Sequence, residues 1–471
     1  MSSDTLTRKN RTLYAFRWFM TSPWGLLVQA LAACAVSLAH AEVQGMVAFL
    51  VFFSLVMVLC DDILATTAPF LLAASFLIKM HDSYATFLPY WWLVFFPAGG
   101  MIFHFWVYRG KFERGQAFWP ILAVSAAITL GGIGSISLKE YFSGVSVYHV
   151  IALGFGTLLA YVLLRSQIHD NHPYSLSSYF SHLMLTVGLF VCFMIFQYYL
   201  ENWEAVRTEG TILAFQWRNN ASSLLMLALP FPFYLAVKRP PFLLAGLLMF
   251  LGLLLTGSRG GLLFGGIEMV MCLFLLFLAD KKRRVVYLIF TGLLVAVAVA
   301  FSGALYGFFG ETVNRLILGI SRGDKEVRVG LFRRALEDFR RHPLFGTGLG
   351  YMGNRDVHLS AKFALCWYHC EPLQILASLG LAGAAAYLFQ LVVRLRILLR
   401  RRTIFHITLF VAYAGIEMMS LVNPGVFAPI PYLLVVTMFL VVAEKVSVQP
   451  QSFRQEQLLR YDQIFHATLK K

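Results

Sequence analysis

Charged residues are scarce in this chain of 471 residues, where they make up 13% of the sequence against 59% hydrophobic residues. A soluble domain of this size carries nearly twice that share of charge. The scarcity of charge, together with a mean hydropathy of +0.69, excludes an ordinary soluble enzyme. Long apolar runs separated by short basic clusters instead indicate a protein that crosses a membrane many times.

Common signatures of catalysis are also missing from the sequence. It contains no Walker loop, GxSxG elbow, nucleotide fingerprint or aspartate-rich cation site. The 12 histidines are scattered without HExxH-like spacing, and Cys366, His369 and Cys370 lie too close together for a standard zinc site. We therefore expect neither a metal nor a cofactor. A disulfide bridge between Cys366 and Cys370 is left open.

The basic N-terminal segment precedes a full-length apolar run that has no small-residue cleavage site, so we expect no cleavable signal peptide. The formal net charge of the chain is +15. In a membrane protein, Lys and Arg collect in cytoplasmic loops for topological reasons, so this charge does not indicate nucleic-acid binding. Membrane lipids are expected partners, and nucleic acid is not.

The apolar runs predict an all-α polytopic membrane protein with about 14 transmembrane helices, or about 12 in the alternative count. The runs are residues 24–40, 44–60, 63–79, 88–108, 118–138, 145–165, 178–200, 220–237, 241–256, 260–279, 285–303, 370–396, 403–421 and 428–444. Most are near the ~20 residues that cross a ~30 Å hydrocarbon core. The divisions among the first three runs are the weakest.

Basic clusters predict the orientation of these helices. They precede the first run and follow the fourth, eighth, tenth and twelfth: Arg8, Lys9, Arg11, Arg17; Arg109, Lys111, Arg114; Lys238, Arg239; Lys281, Lys282, Arg283, Arg284; Arg394, Arg396, Arg400, Arg401, Arg402. All lie on one side if both termini are cytoplasmic. We therefore divide the chain into a cytoplasmic segment (1–23), a transmembrane bundle (24–303), an external loop (304–368), C-terminal transmembrane helices (369–444) and a cytoplasmic tail (445–471).

The external loop is the only long polar interruption of the chain. Val327, Leu331 and Ala335 form an apolar stripe at i, i+4 and i+8, which predicts an amphipathic helix lying on the bilayer or on the end of the bundle. The loop holds ten Lys/Arg and six Asp/Glu, a net charge of +4. Arginine binds phosphate bidentately, so this excess suits an anionic ligand. Contact with anionic lipid is the alternative.

A second external connection carries a single arginine between glycines. Residues 241–279 would form about 58 Å of continuous helix, too long for one crossing, so a turn is predicted at TGSRGG around Arg259. The glycines and the helix start that follows favour phosphate binding, although a snorkelling interfacial arginine is the alternative. Arg218, beside the expected capping residues Asn219 and Asn220, either joins this site or marks the interface.

His369 begins the apolar run that follows the external loop. An imidazole can take a proton from a hydroxyl near neutral pH, so this residue is the candidate general base. A helix cap or an interfacial residue is the alternative for a lone histidine in this position. Charged residues within the spans are few, Glu268 and Glu417 among them, which weighs against a transporter.

Taken together, these passages resemble the O-antigen ligase family, whose relatives include O-antigen polymerases and protein O-oligosaccharyltransferases. The resemblance covers about 215–395 and is carried by the SRGG turn, the helix from Arg328 to Phe332, the passage HPLFGTGLG, and His369 with LQILASLGLAG behind it. HPLFGTGLG through His369 is its most specific part. The family's usual His-Asn pair is His369-Cys370 in this chain.

The resemblance implies transfer of a glycan from an undecaprenyl-pyrophosphate carrier to an acceptor hydroxyl, without metal or nucleotide. It places the reaction at the periplasmic face of a bacterial inner membrane. Arg259 and Arg328 would bind the pyrophosphate, with Arg218 and Arg322 as secondary contributors, and His369 would be the general base. The acceptor is lipid A–core for a ligase and another lipid-linked repeat unit for a polymerase.

Two other classes of function remain open on the sequence. A transporter of lipid-linked glycans would share the composition of this chain, and a non-catalytic scaffold for glycan assembly would share its spans. Within the enzyme class, the absence of a large external C-terminal domain weighs against protein glycosylation. A single displacement would invert the anomeric centre, since no carboxylate is placed as a nucleophile.

Overall fold

The computed structural model describes residues 3–79, 88–109, 111–136, 147, 150–168, 175–209, 218–300, 302–303, 310, 314, 324–349, 368–422 and 430–448. All regular elements in these ranges are helical, which confirms the predicted all-α class. Arg322 and Cys366 lie outside the described residues, as does the side chain of Arg328.

Eighteen α-helices are used below, numbered in chain order. They are α1 (Ser3–Met20), α2 (Pro23–Leu38), α3 (Glu42–Leu59), α4 (Thr67–Phe76), α5 (Phe95–Tyr108), α6 (Phe118–Ile136), α7 (Thr157–Gln167), α8 (Leu176–Glu201), α9 (Trp203–Glu209), α10 (Arg218–Ala228), α11 (Pro230–Ala236), α12 (Phe242–Leu255), α13 (Arg259–Ala279), α14 (Arg284–Ala300), α15 (Asp324–Arg341), α16 (Glu371–Leu399), α17 (Ile404–Ser420) and α18 (Ile430–Val448). Short 3₁₀ turns occur at Ile63–Thr66, Leu88–Val94 and Lys281–Arg283, and a π turn at Ala152–Gly156.

Four of the described helices, α3, α8, α13 and α16, are long and apolar enough to cross a membrane. A fifth crossing is obtained if Thr12–Met20 and α2, which meet at a 73° bend, count as one span. Each predicted apolar run overlaps a described helix or helical turn. The count of about 14 crossings itself stays a prediction.

The predicted turn within residues 241–279 is confirmed. Helix α12 ends at Leu255 and α13 begins at Arg259, with Gly257 at a positive φ of 64° between them. The Ser258 hydroxyl caps α13 by accepting a hydrogen bond from the Gly261 N–H at 3.1 Å. A glycine is needed here because residues with a Cβ rarely adopt that φ.

The two ends of the bundle differ in charge. At the basic end, Arg114, Arg165, Arg400 and Arg401 line one cavity, at the start of α6 and the ends of α7 and α16. Helix α17 begins at the same end and runs to the opposite one, where its Met419 lies against Gly260 of α13. We call that second end the loop end. The orientation of the bundle in a membrane stays a prediction.

Helix α16 is interrupted at Gly380, which has φ +63° and ψ −158°. Four backbone hydrogen bonds join residues 343–348 to the interruption. The N–H groups of Thr347 and Gly348 donate to the carbonyls of Ala377 and Ser378 at 2.9 and 2.8 Å, respectively. The N–H groups of Leu381 and Ala382 donate to the carbonyls of Pro343 and Leu344 at 2.8 and 3.0 Å, respectively. The prediction of one uninterrupted helix over 370–396 is therefore wrong. The backbone groups freed by the break are satisfied by a segment more than 30 residues earlier.

The two parts of α16 fold back towards each other at this break. Glu371 interacts electrostatically with Tyr387 and Arg394. In an unbroken helix these residues would lie about 24 and 34 Å from Glu371 at 1.5 Å per residue. The first part of α16 therefore lies along the second, and it carries the residues after His369 into the bundle.

Replacing Gly380 with alanine should destabilise the protein strongly. The new methyl group would lie 2.5 Å from the carbonyl carbon of Leu344, and the positive φ adds strain of roughly 1–3 kcal/mol. We expect the melting temperature in detergent to fall by roughly 5 °C or more. Gly266→Ala is the matched control, because nothing lies within 4 Å of its added methyl group. Equal melting temperatures for the two variants would contradict the docked break.

Candidate functional site

Two helices whose described parts begin with arginine meet at the loop end. Arg259 opens α13, Arg218 is the first residue of α10 that the structure describes, and both are half-buried. The Ser258 hydroxyl donates to the Asn219 side-chain oxygen at 2.8 Å, which ties the two helix starts together. Because a helix N-terminus carries partial positive charge, the pair forms an electropositive corner.

The predicted capping role of the asparagines stays a prediction, because residues 210–217 lie outside the described part of the chain. Both asparagines lie in the described part of α10, which runs from Arg218. Asn219 bonds to Ser258, and the Asn220 carbonyl accepts a hydrogen bond from the Tyr432 hydroxyl of α18. The asparagines thus join α10 to its neighbours.

Helix α15 packs on the beginning of α16, as the apolar stripe predicts. Leu331 and Ala335 are buried, and Ala335 forms a small core with Tyr368 and Ala377. The side chain of Val327 lies outside the described residues. The arginines Arg333, Arg340 and Arg341 of the same helix are exposed. This packing fixes the end of the external loop against the residues that flank His369.

Tyr368 is clamped at both ends immediately before His369. Its hydroxyl donates to the carboxylate of Asp338 at 2.7 Å, and its N–H donates to the Gln374 side-chain oxygen at 3.0 Å. The amide of Gln374 in turn donates to the Ser378 hydroxyl at 3.0 Å. Asp338 is fully buried, so this hydrogen bond is shielded from water.

His369 itself has a positive φ of 51° and is half-buried. Residues with a Cβ adopt such a conformation at a cost, and where they do so the surrounding structure holds them, often at functional sites. The N-cap of α16 is Cys370, so His369 does not have the capping role considered as the alternative. The clamp on Tyr368 is what holds the strained residue in place.

A buried ionic network lies beneath this strained residue. Arg394 of α16 is 3% exposed and donates to Gln390 (2.7 Å), to Glu417 (3.4 Å) and to Tyr413 (3.5 Å), the last two on α17. The sequence placed Arg394 in the cytoplasmic basic cluster, and that placement is wrong. Arg394 lies 23 residues after Glu371, so it would fall at the end of a membrane span if α16 were unbroken.

A series of contacts, completed by one electrostatic interaction, runs from Gly260 beside Arg259 to Glu371 after His369. Gly260, next to Arg259, lies against Met419 at the end of α17. Glu417, two residues earlier in α17, pairs with Arg394, which interacts with Glu371, two residues after His369. These interactions join the segments that carry Arg259 and His369, and the meeting of Arg218, Arg259 and His369 in one site stays a prediction. Arg328 lies in α15, which packs on α16, and Arg322 is outside the described residues.

Sequence reasoning missed three positioning residues of this site, namely Asp338, Tyr368 and Gln374. Asp338 follows Leu331 and Ala335 on the buried face of α15, so the helical period could have marked it as a buried carboxylate. No local signal identifies Tyr368 as its partner, because the two residues are 30 apart in the chain.

The hydrogen bond between Tyr368 and Asp338 should matter for turnover more than for substrate binding. Tyr368→Phe leaves a buried carboxylate oxygen without its donor and loosens the residue before His369. We expect kcat of the transfer reaction to fall roughly tenfold, with KM for the donor nearly unchanged. Asp338→Asn still accepts the hydrogen bond, so it should retain most of the activity. An equal loss of kcat in Tyr368→Phe and Asp338→Asn would contradict a positioning role for this hydrogen bond.

Apolar helices long enough to cross a membrane indicate a multi-pass membrane protein. Residues 244–388 match the family model described as O-antigen ligase. The match covers less than half of the chain, and it supports a place for the protein in the O-antigen ligase and polymerase superfamily. The matched region runs from α12 into α16 and contains Arg259, Arg328 and His369. Comparison with the curated proteins found no match.

The match supports an enzyme of O-antigen ligase or polymerase type, and that family implies a lipid-linked glycan donor and a glycan acceptor. The matched part includes the helix start with Arg259, the docked passage 343–348 and the break at Gly380. The residues with unusual backbone geometry at the loop end thus fall within the family's characteristic region.

Proposed function

We propose that the protein transfers a glycan from undecaprenyl pyrophosphate to a hydroxyl of lipid A–core, as an inverting, metal-independent ligase. The observation that supports the proposal is the hydrogen bond that ties Ser258, beside Arg259, to Asn219, beside Arg218, together with the interactions that run through Glu417 and Arg394 to Glu371. An anion site and a proton acceptor are the two groups that this transfer needs.

The arginine corner binds the pyrophosphate of the donor. Arg259 offers a planar set of N–H donors that fits two phosphate oxygens, and the start of α13 adds partial positive charge beside it. Arg328 on α15 and, as secondary contributors, Arg218 and Arg322 complete the charge around the diphosphate. As the bond from the sugar to phosphate breaks, these groups stabilise the negative charge that develops on the leaving group.

His369 acts as the general base on the acceptor. Its imidazole takes the proton of the acceptor hydroxyl while the oxygen attacks the anomeric carbon of the donor sugar. One carbon–oxygen bond forms, the bond from the anomeric carbon to the pyrophosphate oxygen breaks, and undecaprenyl pyrophosphate leaves. The attack comes from the face opposite the leaving group, so the anomeric centre is inverted.

The membrane placement follows from the two ends of the bundle. The basic end lies in the cytoplasm of the bacterium together with both termini, and the loop end faces the periplasm at the inner membrane. A prenyl chain then lies against the apolar helices with its diphosphate at the arginine corner. The glycan occupies the wet space under the external loop.

Reconstituted transfer tests this proposal. Purified protein in proteoliposomes is given an undecaprenyl-pyrophosphate-linked oligosaccharide, and lipid A–core is either added or left out. The expected product is a single glycan addition to lipid A–core, unaffected by EDTA. A ladder of lengthening lipid-linked glycans without lipid A–core would show a polymerase instead. Movement of the lipid-linked sugar across the membrane without any new linkage would show a transporter.

A further inference from the structure

A cavity lined by charged side chains lies at the basic end of the bundle, where α16 ends. Its volume is about 340 Å³. Arg114 lines it from the segment before α6, Arg165 from the end of α7, Arg400 and Arg401 from the end of α16, and Glu444 from α18. Four guanidinium groups and one carboxylate therefore face the same space.

Arg165 and Glu444 form the wall of the cavity and offset each other's charge. Arg165 pairs with Glu444 at 3.2 Å and with Glu113 at 2.9 Å, and Lys445 pairs with Glu113 at 3.0 Å. Glu444 also accepts hydrogen bonds from the Tyr161 hydroxyl at 2.9 Å and from the Ala117 N–H at 3.2 Å. These contacts tie α7 and α18 to the segment before α6, so the wall is rigid.

The positive charges of the other three arginines are not offset by ion pairs within the described part of the chain. Among the residues that the structure describes, Arg114, Arg400 and Arg401 form no ion pair with an acidic side chain. All three are exposed at the mouth of the cavity. Three like charges around one space repel each other, and an anion with two or more negative charges would relieve that repulsion.

The aromatic residues beside the mouth place the cavity at the level of lipid headgroups. The guanidinium of Arg114 lies over the rings of Phe112, Phe118 and Trp119 at 5.7, 5.7 and 5.9 Å. Phe112 and Trp119 are each 57% exposed. Exposed tryptophan at the end of an apolar helix is typical of the membrane–water interface. The opening is therefore accessible from the leaflet rather than only from the solvent.

We propose that this cavity binds the headgroup of an anionic phospholipid that carries at least two negative charges. Basic pockets between transmembrane helices are known to suit such headgroups. The volume fits a headgroup better than a bare phosphate ion, since pockets for small molecules start near 300 Å³. The site is separate from the proposed transfer reaction. It anchors the end of α16, whose beginning follows His369.

Lipid binding to the purified full-length protein tests the proposal. Native mass spectrometry in detergent measures the retention of cardiolipin, of phosphatidylcholine and of inorganic phosphate by the wild type and by Arg400→Gln/Arg401→Gln. Arg402→Gln is the matched control, because Arg402 is exposed in the same cluster but does not line the cavity. We expect saturable binding of cardiolipin, weakened about tenfold or more by the double substitution and unchanged in Arg402→Gln.

The outcomes separate the sources of the anion. Both arginines are exposed, so the double variant should elute as a single species like the wild type. Arg114→Gln on the opposite wall should also weaken cardiolipin binding. Equal retention of phosphatidylcholine, an equal loss in Arg402→Gln, or binding of inorganic phosphate as tight as that of cardiolipin would each overturn the lipid site.

Discussion

His369→Gln is expected to reduce glycan transfer by about 10²–10⁴-fold, the usual contribution of a positioned general base. Glutamine keeps nearly the size of histidine and can still form hydrogen bonds, but it cannot take the proton of the acceptor hydroxyl. The strained φ of 51° at this position is retained by the clamp on Tyr368, so the fold should persist. Binding of the lipid-linked donor should be unchanged, because we propose that the donor binds at the arginine corner.

Initial rates in proteoliposomes measure this effect, and His342→Gln is the matched control. His342 lies at the end of the same loop helix and is half-buried, but it is not at the start of α16. We expect its variant to keep most of the wild-type rate. If His369→Gln kept more than about a tenth of the rate with an intact melting temperature, another group would have to be the base.

Arg259→Gln is expected to lower the transfer rate by about 10²–10³-fold, as loss of a major stabilising donor does in other charge-developing reactions. The substitution removes a guanidinium at the start of α13, where the helix N-terminus already favours anions. Arg259→Lys should recover only part of the rate, because an ammonium group restores the charge but not the bidentate geometry.

Arg396→Gln serves as the control for loss of an arginine. Arg396 is exposed near the basic end of α16, and it takes no part in the ion pair of Arg394 with Glu417. Its variant should transfer glycan at nearly the wild-type rate. Measurement of kcat and of donor binding separates the two roles of Arg259, and full activity of Arg259→Lys would contradict bidentate recognition of the diphosphate.

The helices and the main turn were predictable because their signals are local. Apolar runs and their period fix where a helix forms, and the length of residues 241–279 alone requires the turn that begins α13 at Arg259. The stripe of Leu331 and Ala335 likewise predicts the packing of α15. Histidine 369 was found as a candidate because it opens an apolar run after a long polar loop.

The internal geometry of the site was not predictable because it depends on contacts between distant segments. The break at Gly380 needs residues 343–348 to satisfy its backbone, and the glycine by itself is common in membrane helices. Arg394 was assigned to the cytoplasmic cluster because an unbroken α16 would carry it there. Once α16 folds back, that arginine becomes the buried partner of Glu417.

The buried network under His369 explains why the folded-back arrangement is stable. Removing one partner of a buried ion pair typically costs about 3–5 kcal/mol, because the other charge is left uncompensated. Arg394 has Glu417, Gln390 and Tyr413 as partners, and it interacts with Glu371 on the first part of α16. The charge of Arg394 would be costly if it stood alone in a membrane helix. Through its partners, it instead joins the two parts of α16 to α17.

A cryo-electron microscopy map of the protein in nanodiscs with undecaprenyl pyrophosphate tests the central claim most directly. The account predicts density for the diphosphate at the starts of α10 and α13, in contact with the Arg259 guanidinium, with the His369 imidazole open to the same water-filled space. A diphosphate bound at the basic end of the bundle, or a histidine sealed off from the arginine corner by packed side chains, would contradict it.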